Sequence, residues 1–304
     1  MPFLGAEMEF GRLVEWKVKP GDLVKKQDII AVVDTDKAAI EIECWQSGVV
    51  EKLVVEPGAK VPVGAVLALI REASQDAIPT DIQDIKPTEK SQETQSAAMQ
   101  KVIAAAMAKS KREIPHYYLS YTVDMTKSLS WLEAHNSSRP VTDRLIYATL
   151  LIKAVALAIK NHPEFNGFWI NDGFKKADDI NVGIVISLRQ GGLLAPAICK
   201  ADRLNLQDLM KNMSDVVVRA RSGSLRSSEV ENPTITITNL GEYGVDSVFG
   251  VIYPPQVAIV GFGRITSQKS IIATLSADHR ASDGHKGSQF LRAIAQHLQS
   301  PEKL

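Results

Sequence analysis

The sequence predicts two domains of different class: a small all-β domain over residues 1–73 and a larger α/β domain over residues 97–304. Three observations carry this. Residues 1–73 repeat themselves at a fixed offset. Residues 97–304 mix helical apolar periodicity with β-branched runs. The segment 74–96 between them, SQDAIPTDIQDIKPTEKSQETQS, has no aromatic residue and no apolar run. A length of 304 residues also fits two domains better than one.

The repeat shows on shifting the chain by 37 positions: Gly11 falls on Gly48, Pro20 on Pro57, Gly21 on Gly58, Val24 on Val61 and Ala31 on Ala68. Both LVEWKV and VVEKLVV read as strands, and each is followed by the same Pro-Gly turn. Two like β-units can cover each other's apolar faces, which predicts a flattened β-barrel or sandwich with pseudo-twofold symmetry. Between them, DIIAVVDTDKAAIEIEC reads as a hairpin with Asp34, Thr35, Asp36 and Lys37 at its tip. A lone lysine at a turn is ordinarily just a solvated side chain. The segment 74–96 carries Pro79 and Pro87, so it is expected to be an extended, flexible linker with an r.m.s. span of roughly 25–30 Å.

In the third region, AAMQKVIAAAMAKSKRE reads as an Ala-rich helix and HYYLSYTVDM as a strand. Residues 142–161 have helical apolar spacing, with Thr142 or Asp143 available as a cap. Asn171-Asp172-Gly173 marks a tight turn between two strands. INVGIVISL, TITITNL, QVAIVGFG and SIIATLSA are strand patterns; residues 206–220 and 286–298 read as helices.

Composition removes several function classes. Thirty-five basic residues balance 35 acidic ones, so the basic excess of a nucleic-acid binder is missing. Cys44 and Cys199 are too few for a disulfide scaffold and read as reduced thiols. No secretory signal pattern opens the chain, and ATLLIKAVALAI is too short for a membrane span and contains Lys153. A bacterial cytoplasmic location fits. No Cys/His spacing suggests a metal site, and neither a phosphate-binding loop nor a serine nucleophile elbow is present. Gly261-Phe262-Gly263 follows a strand but lacks the rest of a dinucleotide fingerprint.

The chemistry-bearing segment is Asp278-His279-Arg280-Ala281-Ser282-Asp283-Gly284, between a strand and a helix. His279 at a strand end suits general-base work, because imidazole titrates near neutrality. Asp283 could orient the ring or hold the turn. Thr238, at the end of TITITNLG, offers a hydroxyl for an oxyanion. A bare His-x-x-x-Asp-Gly is short, and a capped solvated turn explains it equally well. His116, His135 and His162 read as structural, and His285 and His297 as exposed helix residues.

Residues 1–73 resemble a lipoyl domain over their whole length, in the repeat, the glycines and the DTDKA tip. The resemblance implies lipoic acid in amide linkage to Lys37; the flanking Asp36 and Ala38, where biotinyl domains have Met, favour lipoate. Residues 97–304 resemble the catalytic domain of the acyltransferase component of 2-oxo acid dehydrogenase complexes. VIAAAMAKSKREIPHYYL, TVDM, DINVGIVI, GLLAPAI, TITNLGEYGVDS, PPQVAI and DHRASDG match in order from end to end. The implied fold is chloramphenicol-acetyltransferase-like, in trimers with active sites between subunits. The implied reaction passes an acyl group from the dihydrolipoyl arm to coenzyme A, with His279 as base, Thr238 as oxyanion donor and Asp283 in support. TNLGEYGVDS is most like acetyl-transferring members, of pyruvate or acetoin type. A 2-oxo acid decarboxylase and dihydrolipoamide dehydrogenase are the implied partners.

The chain departs from that pattern in places. Only the polar linker stands where the family has a subunit-binding domain, which leaves the tethering of partners open. Gln100 and Ala106 replace frequent arginines, and Cys199 stands where a basic residue is common. The end at PEKL lacks the family's longer apolar tail, so trimers that build large shells poorly or not at all are expected. A second reading is therefore kept: a lipoyl-bearing carrier or scaffold with weak or lost transferase activity. A third, acyl transfer to an unrelated small acceptor, leaves the lipoyl domain without a purpose.

Overall fold

The computed structural model describes residues 10–34, 39–62, 64–71, 95–188 and 192–304, without the side chains of 95–102 and 231. The turn 35–38 with Lys37, and linker residues 74–94, lie outside the described residues. Two compact units are formed: Met1–Val102 with Arg219–Glu231, and Ile103–Val218 with Asn232–Leu304.

The first unit contains β1 (Phe10–Trp16), β2 (Leu23–Val24), β3 (Ile29–Asp34), β4 (Ala39–Glu43), β5 (Gly48–Leu53), β6 (Lys60–Pro62) and β7 (Ala68–Arg71). Of these strands, β4-β3-β1-β6 lie in one sheet and β2-β5-β7 form the other. The 37-residue offset maps β3-β1-β6 onto β7-β5-β2, and the symmetry extends to single hydrogen bonds. Gly21 N–H donates to Val50 O and Gly58 N–H to Leu13 O; Leu13 N–H donates to Ala59 O and Val50 N–H to Asp22 O. Gly21 and Gly58 take φ of +96° and +92°, a region only glycine enters freely, which is why Pro-Gly occurs twice. Leu13 and Val50, equivalent in the repeat, both lie in the core with Ala31, Val33 and Ile40.

The second unit begins within α1 (Gln95–Glu113), followed by β8 (His116–Asp124), α2 (Thr126–Ser137), α3 (Tyr147–Ile159), β9 (Gly167–Ile170), β10 (Gly173–Lys176), β11 (Val182–Ile184), β12 (Ile186–Ser187), β13 (Leu193–Leu194), β14 (Ala197–Ile198) and α4 (Leu206–Ser222). β15 (Ser224–Arg226) and α5 (Ser227–Glu231) belong to the first unit. The chain then forms β16 (Ile235–Asn239), β17 (Ala258–Phe262), β18 (Ser270–Asp278) and α6 (Gly284–Leu298). A six-stranded mixed sheet runs β14-β11-β16-β17-β18-β8. α6 packs on β8 and β18, and α3 packs on α6. α3 is buried nearly all round. Even Lys153 is enclosed, its ammonium donating to the carbonyls of Asp202 and Leu204.

The Asn171-Asp172 turn joins β9 to β10 with both residues at positive φ, as a two-residue hairpin requires. Two expected elements differ. The helix expected over 142–161 begins at Tyr147, after a 3₁₀ turn at Val141–Asp143, and neither Thr142 nor Asp143 caps it. Asn136 is the cause: its amide oxygen accepts Leu145 N–H and its amide nitrogen donates to Leu145 O, holding the chain extended there. INVGIVISL is two strands, not one. β11 pairs with β14 and β16, whereas β12 turns away to pair with β13.

Candidate active site

β18 is long and buried, and it delivers the sequence's candidate histidine at its end. The strand closes on Asp278, which is fully buried and receives two hydrogen bonds from the Arg280 guanidinium, Nε–Oδ1 at 3.0 Å and Nη2–Oδ2 at 2.7 Å. Arg280 in turn lies over the Trp169 ring, 4.6 Å from its centroid. Burying Asp278 without that partner would carry a steep desolvation cost. Ala281 and Ser282 N–H both donate to Asp278 O, so the chain reverses tightly after the strand.

His279 sits on this reversal and is exposed. Its N–H donates to Pro115 O, which ties the turn to the start of β8. Its ring has no hydrogen-bond partner among the described residues. It meets the Tyr117 ring edge-on, with centroids 5.2 Å apart. Tyr117 is anchored through its hydroxyl to Ser282 Oγ at 2.8 Å, and burial pushes that phenol up to about 12, so it stays protonated. Gly287 of α6 leaves space for this: a Cβ there would lie 2.9 Å from the Tyr117 hydroxyl. Sequence reasoning passed over Tyr117 and Ser282.

Among the described residues, Asp283 makes no hydrogen bond to the imidazole. It is the N-cap of α6, and its carboxylate accepts Lys286 N–H at 2.9 Å, a bond that holds it below the usual carboxylate range. The structure thus favours the turn-holding alternative for this residue. His116 is structural as expected: Nδ1 faces Ile114 O and Nε2 accepts Ile252 N–H, while burial lowers its basicity.

Thr238 lies near the end of β16, almost buried, with no hydroxyl partner among the described residues. The strand registers decide whether it can meet His279. Thr238 pairs with Gly261 on β17, and Gly261 with Thr274 on β18. Because β18 is antiparallel to β17, it runs from Thr274 to Asp278 away from the end where Thr238 sits. Four residues of strand and two strand spacings put Thr238 and Asp278 roughly 16 Å apart. A base and an oxyanion donor must each lie within about 3 Å of the reacting atoms. Within one copy of the chain the two residues therefore stand at opposite ends of the sheet.

Comparison with known proteins identifies the family. A family described as 2-oxoacid dehydrogenases acyltransferase (catalytic domain) matches residues 88–304, and one described as biotin-requiring enzyme matches residues 1–70. The dihydrolipoyllysine-residue acetyltransferase component of the pyruvate dehydrogenase complex of Rickettsia felis is 24% identical, with 99% of this chain and 97% of that protein covered. The corresponding component of the acetoin cleaving system of Bacillus subtilis is 25% identical, covering 100% and 98%. Among solved structures, a probable dihydrolipoamide acetyltransferase from Listeria monocytogenes is 29% identical at a TM-score of 0.63, over 70% of this chain and 95% of that one. The Azotobacter vinelandii dihydrolipoamide acetyltransferase, at 22% identity and a TM-score of 0.64 over 73% of this chain and 99% of that one, shares the fold.

Proposed function

Since this chain belongs to the acyltransferase family of the 2-oxoacid dehydrogenase complexes, we propose that it passes an acetyl group from a dihydrolipoyl arm to coenzyme A at a site shared by two copies of itself. It is a dihydrolipoyllysine-residue acyltransferase with an amino-terminal lipoyl domain. The first unit suits covalent lipoic acid. Asp34 pairs with Ala39 across β3 and β4, so Lys37 falls within the four residues that join two antiparallel strands. Lipoic acid held there supplies a thiol that carries the acyl group as a thioester.

The chain's own groups do the rest. His279, on its fastened turn, takes the proton from the coenzyme A thiol. The thiolate attacks the thioester carbonyl, and the Thr238 hydroxyl of a neighbouring copy donates to the oxygen as it gains charge. As the carbonyl re-forms and the bond to the dihydrolipoyl sulfur breaks, His279 gives its proton to the departing thiolate. A single well-placed donor of this kind is worth about 10²–10³ in rate. The observation that carries the shared site is the placement of Thr238 and His279 at opposite ends of one sheet, with His279 exposed in the single chain. A homotrimer closes three such sites by one repeated contact. Its partners are a 2-oxo acid decarboxylase and dihydrolipoamide dehydrogenase, in the cytoplasm. Among the described residues, no helix is long and apolar enough to cross a membrane.

Acetyl transfer from acetyl-coenzyme A to free dihydrolipoamide tests the assignment. His279→Ala should lose most of the rate while the assembly persists; near-normal turnover would refute the base. Lys37→Arg should abolish lipoylation and complex turnover yet leave transfer to free dihydrolipoamide intact. Failure of the parent towards acetyl, succinyl and branched acyl donors alike would leave the carrier reading.

A further inference from the structure

One strand of the lipoyl unit's sheet comes from far along the chain. β15 pairs with β4 in parallel, Ser224 opposite Ala39, Leu225 opposite Ile40 and Arg226 opposite Glu41. The pairing sits on the sheet's outer edge, next to the strand that leaves the Lys37 turn. Left alone, that edge would present unpaired amides and carbonyls.

The contact is built from more than a ladder. Leu225 is 1% exposed. Ser227 Oγ accepts Glu43 N–H at 3.2 Å, and the Glu43 carboxylate accepts Ser228 N–H at 3.2 Å. Val230 packs against the lipoyl core. The segment is also braced: buried Glu229 accepts Arg226 N–H at 3.0 Å and pairs with the Arg219 guanidinium of α4. A strand braced in this way loses little freedom on docking. Backbone pairing supplies attachment and the flanking side chains supply register, as in β-strand addition.

We propose that β4 is a docking edge of the lipoyl domain and that residues 224–231 are its receptor. The lipoyl domain is then held by its own polypeptide between transfers, and pairing at Ala39, two positions after Lys37, steadies the strand that carries the attachment turn. Release requires breaking a three-residue parallel ladder and two side-chain bonds and exposing Leu225 and Val230, a contact small enough to be reversible. The dock rests on the lipoyl reading of the first unit but not on the acyl-transfer step, and backbone amide exchange reads it apart from activity.

Hydrogen exchange on the full chain reads the dock. The outward amides of β4 should be protected, and Leu225→Pro, which removes a ladder donor and kinks the strand, should lower their protection by about tenfold or more. Amides of β4 facing β3 should keep theirs. Should Leu225→Pro fail to fold, Glu43→Lys tests the same contact from the lipoyl side, replacing the acceptor of Ser228 N–H with a cation; it should lower the same protection. Outward β4 amides that exchange freely in the parent, or protection unchanged in a folded variant, would overturn the proposal.

Discussion

An imidazole acts as a base when its ring is held and its nitrogens are left open. His279 meets both conditions through neighbours rather than through a carboxylate: Pro115 holds its backbone, and Tyr117 touches its ring. An edge-to-face aromatic pair is worth about 0.5–1.5 kcal/mol beyond area burial, at most about tenfold in rate if it serves only the reactive geometry. Tyr117→Leu should therefore lower kcat by up to about tenfold with KM for coenzyme A little changed. Tyr117→Phe, which keeps the ring and loses only the bond to Ser282, should recover most of that loss. A fall in both variants through KM alone would mean that Tyr117 shapes the binding surface instead. Asp283→Ala should lower the unfolding midpoint and leave kcat nearly unchanged, because its carboxylate is committed to Lys286 N–H. His279 and Thr238 are legible in the sequence because each closes a β-branched strand. Tyr117 is not, since the alternation of HYYLSYTVD announces a strand but not its register. Only the pairing of Tyr117 with Ala277, at the end of β18, brings it to the His279 turn.

At the scale of elements, what the sequence announces depends on whether local or distant partners decide. The 37-residue repeat and the Pro-Gly turns are local, and they appear down to reciprocal hydrogen bonds. The start of α3 is set by Asn136 and the break in INVGIVISL by a change of pairing partner, so neither is written in its own segment. β15 is three residues long and exists through its pairing with β4, beyond the reach of any periodicity. The Gly261-Phe262-Gly263 run, which lacks the rest of a dinucleotide fingerprint, has a packing reason. A Cβ on Gly261 would lie 2.1 Å from Val248 O, and one on Gly263 would lie 1.9 Å from Asp246 O. The chain at 245–248 crosses β17 too closely for any side chain there. Gly261→Ala should destabilise the protein by about 3 kcal/mol, because the obstacle is backbone and cannot rotate away. Denaturant unfolding measures this, and a change below about 0.5 kcal/mol would mean that the crossing segment moves aside at little cost.

At the scale of the whole molecule, the proposed shared site would make activity a property of the assembly. With His279 and Thr238 at opposite ends of one sheet, the proposed mechanism needs a second copy to supply the missing group. His279→Ala and Thr238→Ala should each be poorly active alone. Mixed in equal amounts under conditions that let subunits exchange, they should regain activity. In a cyclic trimer each site draws His279 from one subunit and Thr238 from its neighbour, so random mixing restores both groups at roughly a quarter of the sites. A site contained within one chain could regain nothing, because no subunit in the mixture carries both residues. Recovery near a quarter of parent turnover thus separates a shared site from a self-contained one without any structure of the assembly. Absence of recovery in a mixture shown to exchange subunits would require a movement of roughly 16 Å to unite the two groups within one sheet, which the continuous ladders of β16, β17 and β18 do not permit.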